Sequence, residues 1–234
     1  MAKTKRKGKR QRLSSSYRRL VRRADRVLEE NDVDLRPDNW QQVVLDWLEP
    51  AGPDQDTLAA FMAAHETELG LPWAREMLRL EVFFQADDYE QIIAHYERGL
   101  SRYPRCGLVE LWAADNVFRR AGDYWRARGM YCFAMEQMPD HPKPYYEVGF
   151  MHYLLGDFPG ALDWFNQAAD RVEADDAMLG SVIYYNRALV RYVVEGDRKA
   201  ALADIREALR RRPDYAQAKV ARQALRRGEL RWIP

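Results

Sequence analysis

Histidine and cysteine are the side chains best suited to move protons, hold metals or attack carbonyl carbon, and this chain of 234 residues has six of them. The four histidines are His65, His95, His141 and His152, and no two of them share a motif. None lies in a His-Glu-x-x-His arrangement, and none sits beside a serine or cysteine nucleophile motif. His152 falls on an apolar helix face, where a hydrogen-bonded core histidine is expected. Cys106 and Cys132 lie 26 positions apart, a spacing that fits neither a zinc site nor a disulfide framework. They read as small hydrophobes in a reducing, cytoplasmic compartment. Most glycines stand at turns or helix crossings, so no glycine loop is available to cradle a phosphate. These residues predict a chain that is not an enzyme and needs no metal or cofactor.

Charge is the second chemical signal. The net charge of +1 conceals a basic start, an acidic middle and a basic end. Residues 1–26 carry a net +11, residues 38–97 a net −11 and residues 200–234 a net +5. The basic start comprises Lys3, Lys5, Arg6, Lys7, Lys9, Arg10, Arg12, Arg18, Arg19, Arg22, Arg23 and Arg26, against Asp25 alone. Such a segment suits nucleic acid or the ribosome, an acidic protein surface (this chain's own residues 38–97 included), or simple solubility. Tyr17 is the one aromatic among these charges, so base stacking has little support. No apolar stretch follows the first ten residues, which argues against a secretory signal, and no run of 18 apolar residues spans a membrane. After residue 26 the cations are 22 Arg and 3 Lys, the bias of a GC-rich bacterial genome.

The elements that must carry these groups are helices. Residues 1–15 lack apolar periodicity and read as a disordered basic tail. From Ser16, Tyr17, Leu20, Val21, Ala24, Val27 and Leu28 form one stripe and the arginines the opposite face. Residues 16–72 hold the N-terminal helices. One spans 38–49, capped by Asp38, with Trp40, Val43, Val44, Trp47 and Leu48 in register. Another runs from Asp56 to Leu69, after the Pro50–Pro53 break.

From Trp73 the chain repeats. Turn dipeptides stand at Asp87-Asp88, Gly122-Asp123, Gly156-Asp157 and Gly196-Asp197. At fixed distances after each come Ile92, Ala127, Ala161 and Ala201, then Tyr96, Tyr131, Phe165 and Ile205, then Gly99, Ala134, Ala168 and Ala208. Pro104, Pro139 and Pro213 close three of the four units. The pattern resembles the tetratricopeptide repeat, a helix–turn–helix unit of 34 residues with small residues where helices cross. The resemblance implies an all-α, right-handed α-solenoid with repeats at 73–106, 108–141, 142–175 and 182–213. A C-terminal capping helix and tail would fill 214–234. Residues 38–69 are open to reading as a degenerate fifth unit. Departures from the family pattern include Leu80 and Asp115 at glycine positions and a linker at 171–181.

The resemblance further implies a non-enzymatic interaction scaffold whose first helices line a groove for a partner protein or peptide. By position in the repeat, the groove residues are Trp112, Asn116, Arg119, Lys143, Tyr146, Phe150, Tyr153 and Arg187. Met77, Glu81, Phe84, Arg120, Asn186 and Val190 hold equivalent places. Aromatic rings flanked by cations would suit a peptide with an apolar anchor and an acid. The two-carboxylate clamp of the chaperone-binding branch is not reproduced. Asn116 and Arg187 match it, but Trp112, Glu147 and Ile183 stand where Lys, Asn and Lys belong.

Overall fold

The three Gly-Asp dipeptides share one local geometry, a left-handed glycine followed by an aspartate that starts a helix. Gly122, Gly156 and Gly196 have φ of 68°, 78° and 67°, the left-handed conformation that closes a helix and favours glycine. Each following aspartate caps the next helix by accepting a backbone N–H three residues on. Asp123 accepts from Arg126 at 3.2 Å, Asp157 from Gly160 at 3.1 Å and Asp197 from Ala200 at 2.9 Å.

The computed structural model describes residues 15–48, 55–86, 89–116 and 122–229. The basic tail, the 50–53 break, the Asp87-Asp88 turn and the last five residues lie outside them. Among the described residues there are helices and no strands. The chain divides into two compact units, 1–105 and 106–234, so the division falls after the first of the four expected repeats.

In the first unit, α1 (Ser15–Glu30), α2 (Trp40–Leu48), α3 (Gln55–Ala64), α4 (Leu71–Gln85) and α5 (Tyr89–His95) follow in order. Helix α4 is central and packs against α1, α2 and α5. Trp73 anchors one end, with the Trp40 ring edge-on at 5.9 Å and Phe61 at 6.1 Å. Two boundaries differ from the sequence expectation. Asp38 does not cap α2; it is exposed, and Asn39 ties the loop instead, its side chain bonding Arg36 N and Asp34 O at 2.7 Å each. Helix α3 stops at Ala64 rather than Leu69, and turns lead to Gly70 at φ 80°.

A larger difference follows α5, which runs on as a π-helical turn over Tyr96–Leu100. The sequence pattern puts Tyr96 in the core, in line with Tyr131, Phe165 and Ile205. Tyr96 is only half-buried, whereas His95 is 0% exposed. Gly99 permits this packing, since a Cβ there would stand 2.8 Å from Glu76 Oε2 and 3.1 Å from His95 Cε1.

The second unit stacks three helix pairs and a final helix. The pairs are α6 (Gly107–Asn116) with α7 (Tyr124–Gln137), α8 (Pro142–Leu154) with α9 (Phe158–Ala169), and α10 (Ala177–Glu195) with α11 (Arg198–Arg211). Helix α12 (Ala216–Arg227) packs on α11 through Tyr215, Ala218, Ala221 and Leu225. Small and large residues alternate at the crossings: Ala127, Tyr131 and Ala134 in α7, Ala161, Phe165 and Ala168 in α9, Ala201, Ile205 and Ala208 in α11. All nine are fully buried. Gly149 lets α8 meet α9, because a Cβ would lie 2.8 Å from Phe165 Cδ1.

The expected linker at 171–181 is partly helix. Asp176 caps α10 by accepting Leu179 N at 2.9 Å, so residues 177–181 become an added turn. Arg211 crosses over Gly180 to hold that turn, donating to the carbonyl oxygens of Glu173 at 2.5 Å and Asp176 at 3.0 Å.

Candidate peptide-binding face

The first helices of the three pairs, α6, α8 and α10, carry the predicted groove residues. On α8, Tyr146, Phe150 and Tyr153 stand at i, i+4 and i+7 and therefore share one stripe. Their rings stack in sequence: Tyr146 on Phe150 at 6.1 Å and Phe150 on Tyr153 at 5.9 Å, each pair inclined by 18°. The stack starts in the core. Tyr146 is 8% exposed, lies 5.7 Å from the Phe165 ring and accepts Asn186 Nδ2 on its hydroxyl at 3.1 Å. Sequence position alone puts Tyr146 on the open face; the structure makes it the buried foot of the ladder. Phe150 and Tyr153 are half-buried above it.

Beyond Tyr153 the next ring is Phe158 of α9 at 5.9 Å, and at the end of α8 Leu154 and Leu155 stand 51% and 69% exposed. Exposed apolar side chains also flank the other two turns, Tyr124 and Trp125 at one and Val193 and Val194 at the other, with Trp125 82% exposed. Sequence reasoning passed over these six because they lie off the buried stripe of each helix. Being apolar and off-stripe was the signal that marked them.

Among the described residues, the predicted cations of this face, Lys143 and Arg187, are already paired. Lys143 Nζ lies 2.5 Å from Asp115 Oδ2, and Tyr131 donates its hydroxyl to Asp115 Oδ1 at 3.0 Å. Asp115, at a glycine position of the repeat, thus joins α6, α7 and α8. Arg187 makes a two-point contact with Asp204, at 3.1 Å from Nε and 2.5 Å from Nη2, and lies 4.8 Å from the Tyr184 ring centre. Arg191 reaches the same carboxylate at 2.7 Å and Asn166 at 3.1 Å. Asp204 is buried, so its charge is balanced by two guanidinium groups inside the fold.

Of the remaining candidates, Trp112 is half-buried on α6, and the side chains of Asn116, Arg119 and Arg120 lie outside the described residues. Asn186 and Val190 are buried, as are Glu147 and Ile183 at the failed clamp positions. Met77 and Glu81 are buried in the first unit, and burial raises the Glu81 carboxyl above its usual pKa. The Phe84 side chain is not described. In the basic start, Arg18, Arg19, Arg22 and Arg23 are exposed on α1, whereas Lys3, Lys5, Arg6, Lys7, Lys9, Arg10 and Arg12 lie outside the described residues.

Each histidine has a local structural partner. His141 caps α8 by accepting Lys143 N at 3.2 Å, and His65 bonds Glu68 at 2.6 Å. His152 is half-buried rather than core, and steadies the cap of α9 through Asp157 at 2.7 Å. His95 meets Tyr17 and Glu76, and burial holds its pKa below the usual histidine value. Burial likewise pushes the Cys106 thiol up, away from the reactive thiolate.

No protein-family model matches the sequence, and no curated protein matches it. Solved structures do resemble it. The C-terminal part of a TPR repeat-containing protein from Cytophaga hutchinsonii is 14% identical with a TM-score of 0.56, covering 89% of this chain and 72% of that one. YrrB, described as a TPR protein with an unusual peptide-binding site, is 16% identical with a TM-score of 0.54, covering 86% of this chain and 97% of its own. No helix among the described residues is long and apolar enough to cross a membrane. The all-α helix–turn–helix stack, its Gly-Asp turns and its small-residue crossings give this chain the fold of the tetratricopeptide-repeat proteins.

Proposed function

We propose that this chain is a non-enzymatic scaffold that holds a peptide segment of a partner protein on the face made by α6, α8 and α10. The observation that carries the reading is the stacked ladder on α8, half-buried at Phe150 and Tyr153, with Leu154 and Leu155 exposed at the end of the same helix. Stacked rings offer large, rigid contact area with little side-chain entropy left to lose on binding. Lys143, Arg187 and Arg191 are engaged with Asp115 and Asp204, so an acidic anchor gains little from these three. The ligand is therefore an apolar or aromatic segment rather than a carboxylate-tipped one. YrrB lends support, since the same fold carries a peptide site in that protein. Both cysteines are free, which fits a reducing, cytoplasmic setting.

Selection of random peptides on the intact chain tests this. Selected peptides should be rich in aromatic and aliphatic residues. Binding should fall at least about tenfold with the Phe150→Ser/Tyr153→Ser pair, each hot spot costing more than about 1 kcal/mol. Peptides rich in Asp and Glu, or binding indifferent to those two substitutions, would contradict the proposal.

A further inference from the structure

Helix α1 is not a loose basic arm. Tyr17, Ala24 and Leu28 are buried in the first unit, and two polar anchors fix the roll of the helix. In the first, His95 Nε2 lies 2.9 Å from the carbonyl oxygen of Glu76, which only accepts, so Nε2 carries the proton. His95 Nδ1 is then the acceptor for the Tyr17 hydroxyl at 3.1 Å. In the second, both oxygens of Asp25 meet Arg79 at 2.7 Å. The one acid of the first 26 residues is thereby taken up on the inner side of the helix.

The outer side is consequently uncompensated. Arg18, Arg19, Arg22, Arg23 and Arg26 are all exposed, and α1 exposes no other residue type before Glu29 among those whose side chains are described. At a rise of about 1.5 Å per residue, Arg18, Arg22 and Arg26 form a row at intervals of about 6 Å, with Arg19 and Arg23 beside it. Arg98 extends the patch, its guanidinium 5.1 Å from the Tyr17 ring centre. Residues 1–14, outside the described residues, carry seven further Lys and Arg and no acid.

We infer that this docked arginine ridge binds the phosphate backbone of a nucleic-acid duplex. Guanidinium groups pair with phosphate in two-point geometry, and a rigid row of them suits anions that repeat along a line. Protein interfaces need an apolar or aromatic centre, and the ridge presents none. Base stacking needs exposed rings, and Tyr17 is buried beneath the ridge. Recognition is therefore of the backbone and independent of sequence. The ridge belongs to the first unit and does not depend on the peptide-binding reading.

Fluorescence anisotropy with labelled DNA and RNA duplexes, titrated with salt from about 50 mM, tests the inference. The full chain should bind with affinity falling steeply in salt. Changing Arg18, Arg19, Arg22, Arg23 and Arg26 to Gln should weaken binding at least tenfold and flatten the log–log salt slope by about 0.9 for each phosphate no longer neutralised. Asp25→Asn separates a fixed ridge from mere charge. It adds one positive charge yet breaks an anchor, so a fixed ridge predicts weaker binding and charge counting predicts tighter. Circular dichroism of both variants checks that the helices persist. Three results would overturn the inference: no duplex binding at low salt, a five-Gln variant with the slope unchanged, or tighter binding by Asp25→Asn. Sedimentation of the protein alone provides the fourth. Salt-sensitive self-association abolished by the five-Gln variant would assign the ridge to an acidic surface of a second copy instead.

Discussion

The same substitution at two glycines should change stability in opposite directions. Gly129 is exposed in the middle of α7, and a Cβ there would meet nothing within 4 Å. Gly129→Ala therefore brings only helix propensity and a stiffer unfolded chain, a gain of about 0.5–1 kcal/mol. Gly149 lies inside α8, where a Cβ would stand 2.8 and 2.9 Å from two Phe165 ring carbons and 3.0 Å from Trp164 Cβ. Carbon atoms in contact prefer about 3.5–4.0 Å, so the ring must retreat by more than half an ångström. It has nowhere to go: Phe165 is fully buried and backs onto the Tyr146 ring at 5.7 Å. Overpacking of this kind costs about 1–3 kcal/mol, and the propensity gain recovers at most about 1 kcal/mol of it. Gly149→Ala should then be destabilising by about 1 kcal/mol, and Gly149→Leu by more. Thermal melts read by circular dichroism resolve this, since each kcal/mol shifts Tm by about 2–4 °C in a chain of this size. If Gly149→Ala raises Tm as Gly129→Ala does, the close crossing of α8 and α9 is wrong.

Three further outcomes follow from individual contacts. Asp197→Ala removes the cap on Ala200 N and should cost about 1 kcal/mol in urea unfolding, with Asp197→Asn recovering most of the loss. His95 is held neutral by burial, so its folded pKa lies below the unfolded value of about 6.5. Its contribution is complete above pH 6.5 and declines as the pH falls below that. The urea midpoint should therefore drop between pH 7 and 5.5, and less so in His95→Gln, which keeps a donor for Glu76 O and an acceptor for Tyr17. Glu207 behaves differently: Arg210 above all, then Arg211, holds its carboxyl at about 2, down from 4.5. The stability it lends is present above about pH 4.5 and fades as the pH falls toward 2, a decline that Glu207→Gln should reduce in an acid titration.

The repeats were readable because their signals are local. A Gly-Asp pair sets a left-handed residue and a cap within three positions, and alanines at fixed spacing mark a crossing whatever lies opposite. Boundaries failed where another residue was able to take over the local task, as Asn39 did from Asp38. They failed also where a distant side chain stabilised extra helix, as Arg211 did for residues 177–181. Before the π-helical turn at Tyr96–Leu100 the sequence pattern chose Tyr96, four residues after Ile92, where the structure buries His95, three residues after it. Helical spacing allows either position, and His95 became the anchor of α1.

The candidate faces divide along the same line. From the sequence alone comes the residue inventory: rings at i, i+4 and i+7 on α8, lysine and arginine around them, and arginines on one side of α1. Helical spacing determines which side chains share a stripe, and so that much holds without any neighbour. Only the tertiary structure decides which of them remain available. Tyr146 is taken by Phe165 and Asn186, Lys143 by Asp115, and Arg187 with Arg191 by Asp204. Lys143 and Arg187, expected to meet a ligand, are neutralised inside the fold, and the rings of Phe150 and Tyr153 remain half-buried. On α1 the reverse holds, since Asp25 turns inward to Arg79 and leaves its arginines to the solvent. Pairing across helices joins residues far apart in the chain, and no local pattern in the sequence records it.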